Sequence, residues 1–189
     1  NQLGAHEEYF ATGSGDVSPD GRLFALAVDT TGAEHFNLRI HQIDGDVVVD
    51  DAVEGAGYGL AWLADSSGVF YTRVDEAWRH HEIWLHRVGT NPDEDQLILR
   101  EDDESFGLWC DSSRDGKWLV ITSTSTETTE VHLVSTTDPD ERFVVREREQ
   151  GVFYTAEVAG DELLIIHNAE EPGFELATAP VRPSDVTEW

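Results

Sequence analysis

Four stretches of the chain repeat the same order of polar and apolar positions. Each begins with a tight polar turn and continues into a mostly apolar run: DGRLFALAVD from Asp20, SSGVFYTRVD from Ser66, DGKWLVITST from Asp115 and GDELLIIHNA from Gly160. Successive starts are 46, 49 and 45 residues apart. A turn and strand pattern that recurs at nearly constant spacing is typical of a repeat architecture.

Each repeat is predicted to consist of strands. A strand rich in aromatic and small residues precedes the turn, the apolar run follows it, and an alternating strand such as HFNLRIHQI or HEIWLHRVG comes third. In the first three repeats a fourth strand follows, namely DVVVDDAV, DQLILRE and RFVVRERE, whereas the fourth repeat stops before its own. Gly, Asp, Ser and Thr interrupt the apolar runs, and no segment has helical periodicity.

Four antiparallel strands in a repeat of roughly 40 to 50 residues correspond to one blade of a β-propeller. We therefore predict an all-β fold, a β-propeller fragment of about four blades arranged radially. The turn at Ser18 to Gly21 is the hairpin between the first two strands, because Asp-Gly tolerates positive φ. The repeats are predicted at about 6–54, 55–102, 103–150 and 151–189. Their second strands are predicted at Leu23–Val28, Val69–Val74, Trp118–Ser123 and Leu163–His167.

The charge of the chain limits its partners. Asp and Glu number 39 against 12 Lys and Arg, giving a formal net charge of -27, and Lys117 is the only lysine. Such a surface repels phosphate backbones, so no nucleic acid partner is predicted. It can attract cationic ligands by long-range steering, although salt adaptation or a biased composition is the explanation that we favour. The hydrophobic content of 39% argues against disorder.

The single cysteine, Cys110, excludes an internal disulfide. It lies in the strand-like run FGLWCDSS, which predicts a buried small side chain and not a reactive thiol. No stretch reaches the ~18 apolar residues of a membrane span, and no basic-then-apolar leader precedes the first strand. We expect a cytoplasmic protein without a membrane partner. The segment does not begin with Met, so a leader removed earlier is an alternative that the sequence leaves open.

Two segments superficially suggest ligand sites. The glycine-rich run EGAGYGLAW, Glu54 to Trp62, enters a strand and lacks the helix N-terminus that holds a phosphate, so no nucleotide site is predicted. Alternation places His80, Glu82, Trp84 and His86 on one face of a strand beside His81, a pattern that could hold a metal. Polar positions in a half-exposed strand are the interpretation that we favour, and no metal is predicted.

Acidic residues cluster in REDDESF, Arg100 to Phe106, and in TTDPDERF, Thr136 to Phe143. Both runs fall at predicted strand connections, where we expect solvated loops. Paired carboxylates perform acid and base chemistry only when a pocket separates their pKa values. The chain also has no G-x-S-x-G elbow and no alternating βαβ pattern to hold one. The sequence therefore predicts no catalytic, cofactor-binding or metal-binding residue.

The residues between the turns resemble a known family. VSPDGRLFALAVDTTGAEHFNLRI, LLIIHNAEEPGFELATAPV and above all FYTRVDEAWR, Phe70 to Arg79, with HRVGT after it, are similar to the propeller domain of oligopeptidase B in the prolyl oligopeptidase family of serine peptidases. The resemblance extends from about Glu8 to Trp189. Relatives tend to have a lysine where this chain has Thr126, which leaves any contact of that lysine in doubt.

The resemblance implies a seven-bladed propeller that caps an α/β-hydrolase domain carrying a Ser, Asp and His triad. It also implies short peptide substrates, cut after Arg or Lys, and a propeller that restricts access by folded proteins. No triad position matches a residue of this chain, so the hydrolase domain of the parent is the expected partner, and the segment alone should be inactive. The alternative is a stand-alone propeller that binds or scaffolds a partner; a G-x-S-x-G elbow further along the parent gene would discriminate the two.

Four repeats are too few for a seven-bladed ring, so the resemblance also predicts open edges. The end blades of such an arc leave apolar faces and an unpaired strand in contact with water. Self-association could cover them, and because the charge of -27 opposes it at low salt, we expect it to be promoted by salt.

Overall fold

The computed structural model describes residues 4, 7–45, 47–169 and 173–181, and they form strands and one short 3₁₀ helix, η1 (Pro92–Glu94). The predictions about a leader and about the end of the fourth repeat concern residues 1–3, 5–6 and 182–189, which lie outside the described residues. No described helix is both long enough and apolar enough to span a bilayer. The strands are β1 (Ala11–Val17), β2 (Leu23–Asp29), β3 (Phe36–Gln42), β4 (Val47–Trp62), β5 (Gly68–Val74), β6 (His80–Arg87), β7 (Gln96–Arg100), β8 (Gly107–Ser112), β9 (Trp118–Thr124), β10 (Thr129–Ser135), β11 (Arg142–Arg146), β12 (Tyr154–Ala159), β13 (Glu162–His167) and β14 (Glu175–Pro180).

The all-β prediction is confirmed, and the four predicted second strands correspond to β2, β5, β9 and β13, each within one residue at either end. The first turn is confirmed as a hairpin: the Gly21 N–H donates to the Ser18 carbonyl at 2.8 Å, and Gly21 has φ 72°. The Ser18 hydroxyl accepts the Leu23 N–H and donates to Asp20. The repeat boundaries stay predictions.

The chain divides into two compact units, which are described separately. Unit 1 comprises residues 1–100 and contains one antiparallel sheet in the order β1-β2-β3-β4-β5-β6-β7. The sequence predicts two separate strands in residues 47–62, whereas the structure has the continuous strand β4. Its first part pairs with β3 and its second with β5, and Ala56 pairs with both Phe36 and Arg73. The predicted separation of the first two sheets is therefore not found.

Glycine explains why β4 bends without ending. Gly55 and Gly59 have φ of 72° and 105°, a region that residues with a side chain enter only with strain. The register of β4 shifts against both neighbours near these residues. Such bulges turn a strand sharply and preserve the ladder on either side. The core of unit 1 lies along this strand and includes Leu38, Val53 and Trp62.

Unit 2, residues 101–189, contains a four-stranded sheet in the order β11-β10-β9-β8 and a three-stranded sheet in the order β12-β13-β14. The two sheets share one core, to which Leu133 and Ile165 contribute. Tyr154 of β12 donates its hydroxyl to the Arg146 carbonyl and accepts the N–H groups of Val131 and Arg146. Because the register of β10 and β11 shifts at Val131, this hydroxyl satisfies backbone groups that the bulge leaves unpaired.

One face of the three-stranded sheet is apolar and exposed. β13 alternates between buried and exposed residues, and Leu164 and Ile166 lie on its outer side. Leu176, which pairs with Ile166, is 71% exposed, and Phe174 is also exposed. An apolar surface of this kind agrees with the expected open face of a partial propeller. Salt-promoted self-association through it stays a prediction.

Candidate functional site

An open pocket of about 160 Å³ lies in unit 1, where the loops after β2 and β5 meet the bend of β4. A cavity of roughly 150 Å³ accommodates a benzene ring, so the pocket has room for one small planar group. Half of its ten lining residues carry aromatic rings. The lining consists of Glu34, His35, Phe36, Gly55, Ala56, Gly57, Tyr58, Val74, Trp78 and His80.

The rings of the pocket form two groups. His35 lies against Trp78, with ring centroids 4.7 Å apart. Tyr58 contacts both Phe36, at 5.5 Å, and His80, at 5.7 Å. Trp78 and Tyr58 are each 44% exposed, so solvent reaches a ring in each group.

The first loop of the pocket is built around the buried carboxylate of Asp29, at the end of β2. The Thr31 N–H and hydroxyl donate to Oδ1 at 2.7 and 2.8 Å, and the Glu34 N–H donates to Oδ2 at 2.8 Å. Burial acts to raise the pKa of Asp29. The hydrogen bonds together outweigh burial, so the pKa lies below its usual value. The ionised carboxylate holds Glu34 at φ 57°, a conformation uncommon for a residue other than glycine.

The second loop is built in the same way around Asp75, one repeat later and directly after β5. Its Oδ1 accepts the N–H groups of Ala77 and Arg79 at 2.9 and 3.0 Å, and its Oδ2 accepts Arg79 Nε at 3.0 Å. Trp78 donates its N–H to the Asp75 carbonyl and has φ 65°. The left-handed conformation costs such a residue about 1–2 kcal/mol. The loop therefore holds Trp78 in a conformation that costs conformational free energy.

The floor of the pocket depends on a glycine. A Cβ at Gly57 would overlap the His80 ring and the Thr72 hydroxyl, so only glycine permits this close approach. The Tyr58 N–H donates to His80 Nε2 at 3.1 Å, and the Thr72 hydroxyl donates to the Tyr58 carbonyl at 2.6 Å. Burial lowers the pKa of His80, which favours the neutral ring that can accept this bond.

A second polar cluster in unit 1 is fully enclosed. His86 is 0% exposed; its Nδ1 lies 2.7 Å from Asp95 Oδ1 and its Nε2 lies 2.7 Å from Asp50 Oδ2. Tyr71 donates its hydroxyl to Asp95, and Gly89 donates its N–H to Asp50. Burial first, and then the bond to Asp95, raises the pKa of Tyr71 well above its usual value. The cluster thus joins β4, β5, β6 and the end of η1 through buried hydrogen bonds.

Unit 2 contains an ionic network around Arg148. Its Nη2 lies 2.6 Å from Glu101 Oε2 and 3.2 Å from Glu130 Oε1, and its backbone N–H donates to Glu130 Oε2. The Ser123 hydroxyl also donates to Glu101 at 2.6 Å. Burial raises the pKa of Glu101, but Arg148 and Ser123 lower it to below its usual value. The Arg148 guanidinium also lies 4.1 Å from the ring centre of Phe106. One cation thus neutralises two shielded carboxylates.

Glu130 should make the stability of unit 2 sensitive to acid. The bond to His132 is the main cause that lowers its pKa from 4.5 to about 2, with Arg148 adding to it against the effect of burial. A carboxyl with a depressed native pKa stabilises the fold above its unfolded pKa and loses that contribution as pH falls toward the native one. The destabilisation by Glu130→Gln should therefore be largest above about pH 5 and vanish near pH 2.

Urea unfolding of wild type and Glu130→Gln across this pH range measures the difference. Glu104→Gln, which removes an exposed carboxylate from the loop before β8, is the matched control and should show a small difference with little slope. A Glu130→Gln difference that stays constant with pH would contradict the expectation.

The glycine-rich run and the histidine strand both differ in part from their sequence interpretation. Residues 54–62 lie within β4, as predicted, but residues 55–58 also line the aromatic pocket. The predicted alternation on β6 is seen in the bond from Trp84 Nε1 to Glu82 Oε2 at 2.8 Å. The prediction of a half-exposed strand is wrong for Glu82 and His86, which are both buried. Arg100 neutralises Glu82, and two aspartates enclose His86.

The remaining candidates follow the predictions more closely. Residues 101–106 and 136–141 are strand connections, as predicted. Full solvation is wrong for Glu101, which is only 7% exposed because Arg148 and Ser123 satisfy its carboxylate. Cys110 is confirmed as a buried free thiol on β8, and burial raises its pKa to about 12. Among the described residues, no three His, Cys, Asp or Glu side chains are grouped as a metal site would require.

Comparison with known proteins decides the family. The model of the prolyl oligopeptidase N-terminal beta-propeller domain matches residues 1–189. The chain belongs to the prolyl oligopeptidase family. The β-propeller class expected from the repeats is thereby confirmed, as is the family resemblance.

Relatives within the prolyl oligopeptidase family carry peptidase names. Dipeptidyl aminopeptidase BI of Pseudoxanthomonas mexicana is 32% identical over 191 residues, covering 100% of this chain and 26% of the relative. Protease 2 of Moraxella lacunata is 29% identical, covering 96% of this chain and 27% of the relative. Oligopeptidase B from Trypanosoma brucei, solved with covalently bound antipain, has a TM-score of 0.89 at 31% identity and covers 100% of this chain and 27% of that one.

Prolyl oligopeptidase relatives are thus much longer than this chain, which spans about a quarter of their length. The oligopeptidase B of Leishmania major agrees with this picture, with a TM-score of 0.87, 28% identity and coverage of 95% of this chain and 26% of that one. The chain therefore corresponds in fold to a propeller part of these relatives. That it carries no catalytic residue stays a prediction.

Proposed function

We propose that the chain is the non-catalytic propeller part of a serine oligopeptidase that cleaves short peptides after basic residues, and that it acts as a cap and size filter over the active site. The observation that supports this most directly is the match of the whole chain to the family propeller, together with the TM-score of 0.89 to an oligopeptidase B. The hydrolase domain of the parent is then the partner of this chain.

The charge of the chain supports basic substrates. At -27, the surface raises the local concentration of cationic peptides and speeds their encounter with the protein. This steering weakens as salt screens it, with a screening length of about 8 Å at physiological ionic strength. Among the described residues, the aromatic pocket, the His86 cluster and the Arg148 network contain no combination of nucleophile, base and oxyanion donors, which peptide hydrolysis requires.

A peptidase assay on the 189-residue chain and on its full-length parent tests the proposal. The chain alone should not cleave peptides containing Arg or Lys. The parent should cleave short blocked peptides after these residues and leave the same sequence intact within a folded protein. Replacing the serine of the parent's G-x-S-x-G elbow with alanine should reduce the rate by more than about a thousandfold.

The outcomes separate the alternatives. Activity in the purified 189-residue chain would overturn the cap assignment. A parent that removes dipeptides from free N-termini but ignores blocked peptides would resemble the dipeptidyl aminopeptidase relative instead, and the proposed specificity would be wrong. An inactive parent without an elbow serine would favour a stand-alone propeller that binds or scaffolds a partner.

A further inference from the structure

We propose that the aromatic pocket of unit 1 binds the guanidinium group of an arginine side chain in a peptide. The pocket lies within unit 1, and all its lining residues belong to this chain. Nothing in the cap function requires it. The inference rests on the proposed function only for the source of the peptide.

The chemistry of the pocket favours a planar cation over an apolar group. Aromatic faces attract a guanidinium within about 6 Å through their quadrupole, and tryptophan attracts it most strongly. Trp78 and Tyr58 offer exposed rings in the two ring groups of the pocket. A guanidinium stacks on such rings and keeps its N–H groups free for hydrogen bonds at the edge.

The charges around the pocket also favour a cation. Glu34 lines the pocket, and Glu54 and Glu76 are close in sequence to other lining residues. Two arginines lie near lining residues in sequence. Arg79 has its Nε bound to Asp75, and the Arg73 guanidinium lies 4.5 Å from the ring centre of Trp84. Burial lowers the pKa of His80, which favours the neutral ring and so reduces repulsion of a cation.

The backbone supplies an independent argument. Glu34 and Trp78 are two of the three residues other than glycine that have positive φ in the described part of the chain, and both line this pocket. Strain of this kind collects at ligand sites, where surrounding bonds over-determine the conformation. The carboxylates of Asp29 and Asp75, at equivalent positions of successive repeats, hold the two strained loops. The pocket is therefore preorganised, which reduces the entropy lost on binding.

Nuclear magnetic resonance titration of the 189-residue chain tests the inference. Acetyl-arginine amide is the probe, and acetyl-citrulline amide, which has a neutral urea group of the same shape, is the matched control. We expect the arginine probe to shift the indole N–H resonance of Trp78 saturably at 0.15 M salt, with the citrulline probe at least tenfold weaker. The indole of Trp109, exposed in unit 2, should not move.

Two variants separate the ring from the charge. Trp78→Asn removes the ring but keeps a residue that tolerates positive φ, and should weaken binding at least tenfold. Glu34→Gln keeps every ring and should weaken binding about threefold, whereas Trp109→Leu should leave it unchanged. If Trp78→Asn does not fold, the two probes on wild type and Glu34→Gln still decide the question.

Equal binding of the two probes would overturn the inference, because it would show an apolar pocket without preference for a cation. Shifts distributed over acidic surfaces without saturation at Trp78 would overturn it as well. The proposed function fails separately: a parent that cleaves basic peptides while the pocket ignores arginine refutes only the pocket, and an inactive parent whose pocket binds arginine refutes only the peptidase.

Discussion

Replacing His86 with leucine is expected to reduce the free energy of unfolding of unit 1 by about 3–5 kcal/mol. The imidazole lies 2.7 Å from both Asp50 and Asp95, and the three side chains are almost completely shielded from water. Leucine fills a comparable volume but removes the group that lies between two buried carboxylates, so that only weaker donors such as the Tyr71 hydroxyl and the Gly89 N–H still bind them. The loss of stability arises from these two buried charged carboxylates and exceeds the loss expected from removing one ordinary hydrogen bond.

Urea unfolding, combined with hydrogen exchange at the amides of β4 to β6, measures the effect within unit 1. Asp51→Asn, which changes the exposed neighbour of Asp50, should stay within about 0.5 kcal/mol of wild type. Adding Asp50→Asn and Asp95→Asn to His86→Leu should recover part of the lost stability, since the cluster then contains no charged side chain. A loss below about 1 kcal/mol for His86→Leu alone would show that the cluster is not holding charges in place.

Replacing Arg148 with methionine is the second change with a large expected effect, a loss of about 3–5 kcal/mol from the stability of unit 2. Methionine keeps an apolar contact with Phe106 but removes the guanidinium that bridges Glu101 and Glu130. Their carboxylates are 8% and 12% exposed and would then repel each other, because the Ser123 hydroxyl and His132 still bind them but do not replace the shared guanidinium.

Arg114→Met, at an exposed turn, provides the control and should change stability by less than about 0.5 kcal/mol. Combining Arg148→Met with Glu101→Gln and Glu130→Gln should restore much of the loss, because the repulsion disappears with the charges. Hydrogen exchange at β9 and β10 measures the change within unit 2. Equal stability of Arg148→Met and wild type would exclude a structural role for the network.

The local parts of the fold could be predicted from the sequence because their causes are local. The Ser-Pro-Asp-Gly turn is closed by bonds among Ser18, Asp20, Gly21 and Leu23, all within six residues. Repetition of that turn and of the apolar run after it sufficed to place four second strands. In the third repeat Ser113 and Asp115 make the equivalent bonds.

The long-range features could not be predicted, because register decides them. His86 contacts Asp50 across 36 positions, and Arg148 contacts Glu101 across 47, so neither pairing is visible in a linear pattern. The available signal was the small number of cationic residues. Where acidic residues greatly outnumber arginines, one arginine is expected to bind more than one carboxylate. The pocket was missed because its decisive feature, the positive φ of Trp78, has no signature in the sequence.

Strand β4 has a consequence for how the first half of the chain unfolds. Repeat proteins often behave as a row of modules whose stabilities add, each able to open by itself. Here the hydrogen-bond ladder continues through Ala56 from one repeat into the next. The first repeat therefore cannot unfold without breaking strand pairing that it shares with the second. The two repeats should therefore melt in a single cooperative step, and a protease or an insertion at the repeat boundary would disrupt both.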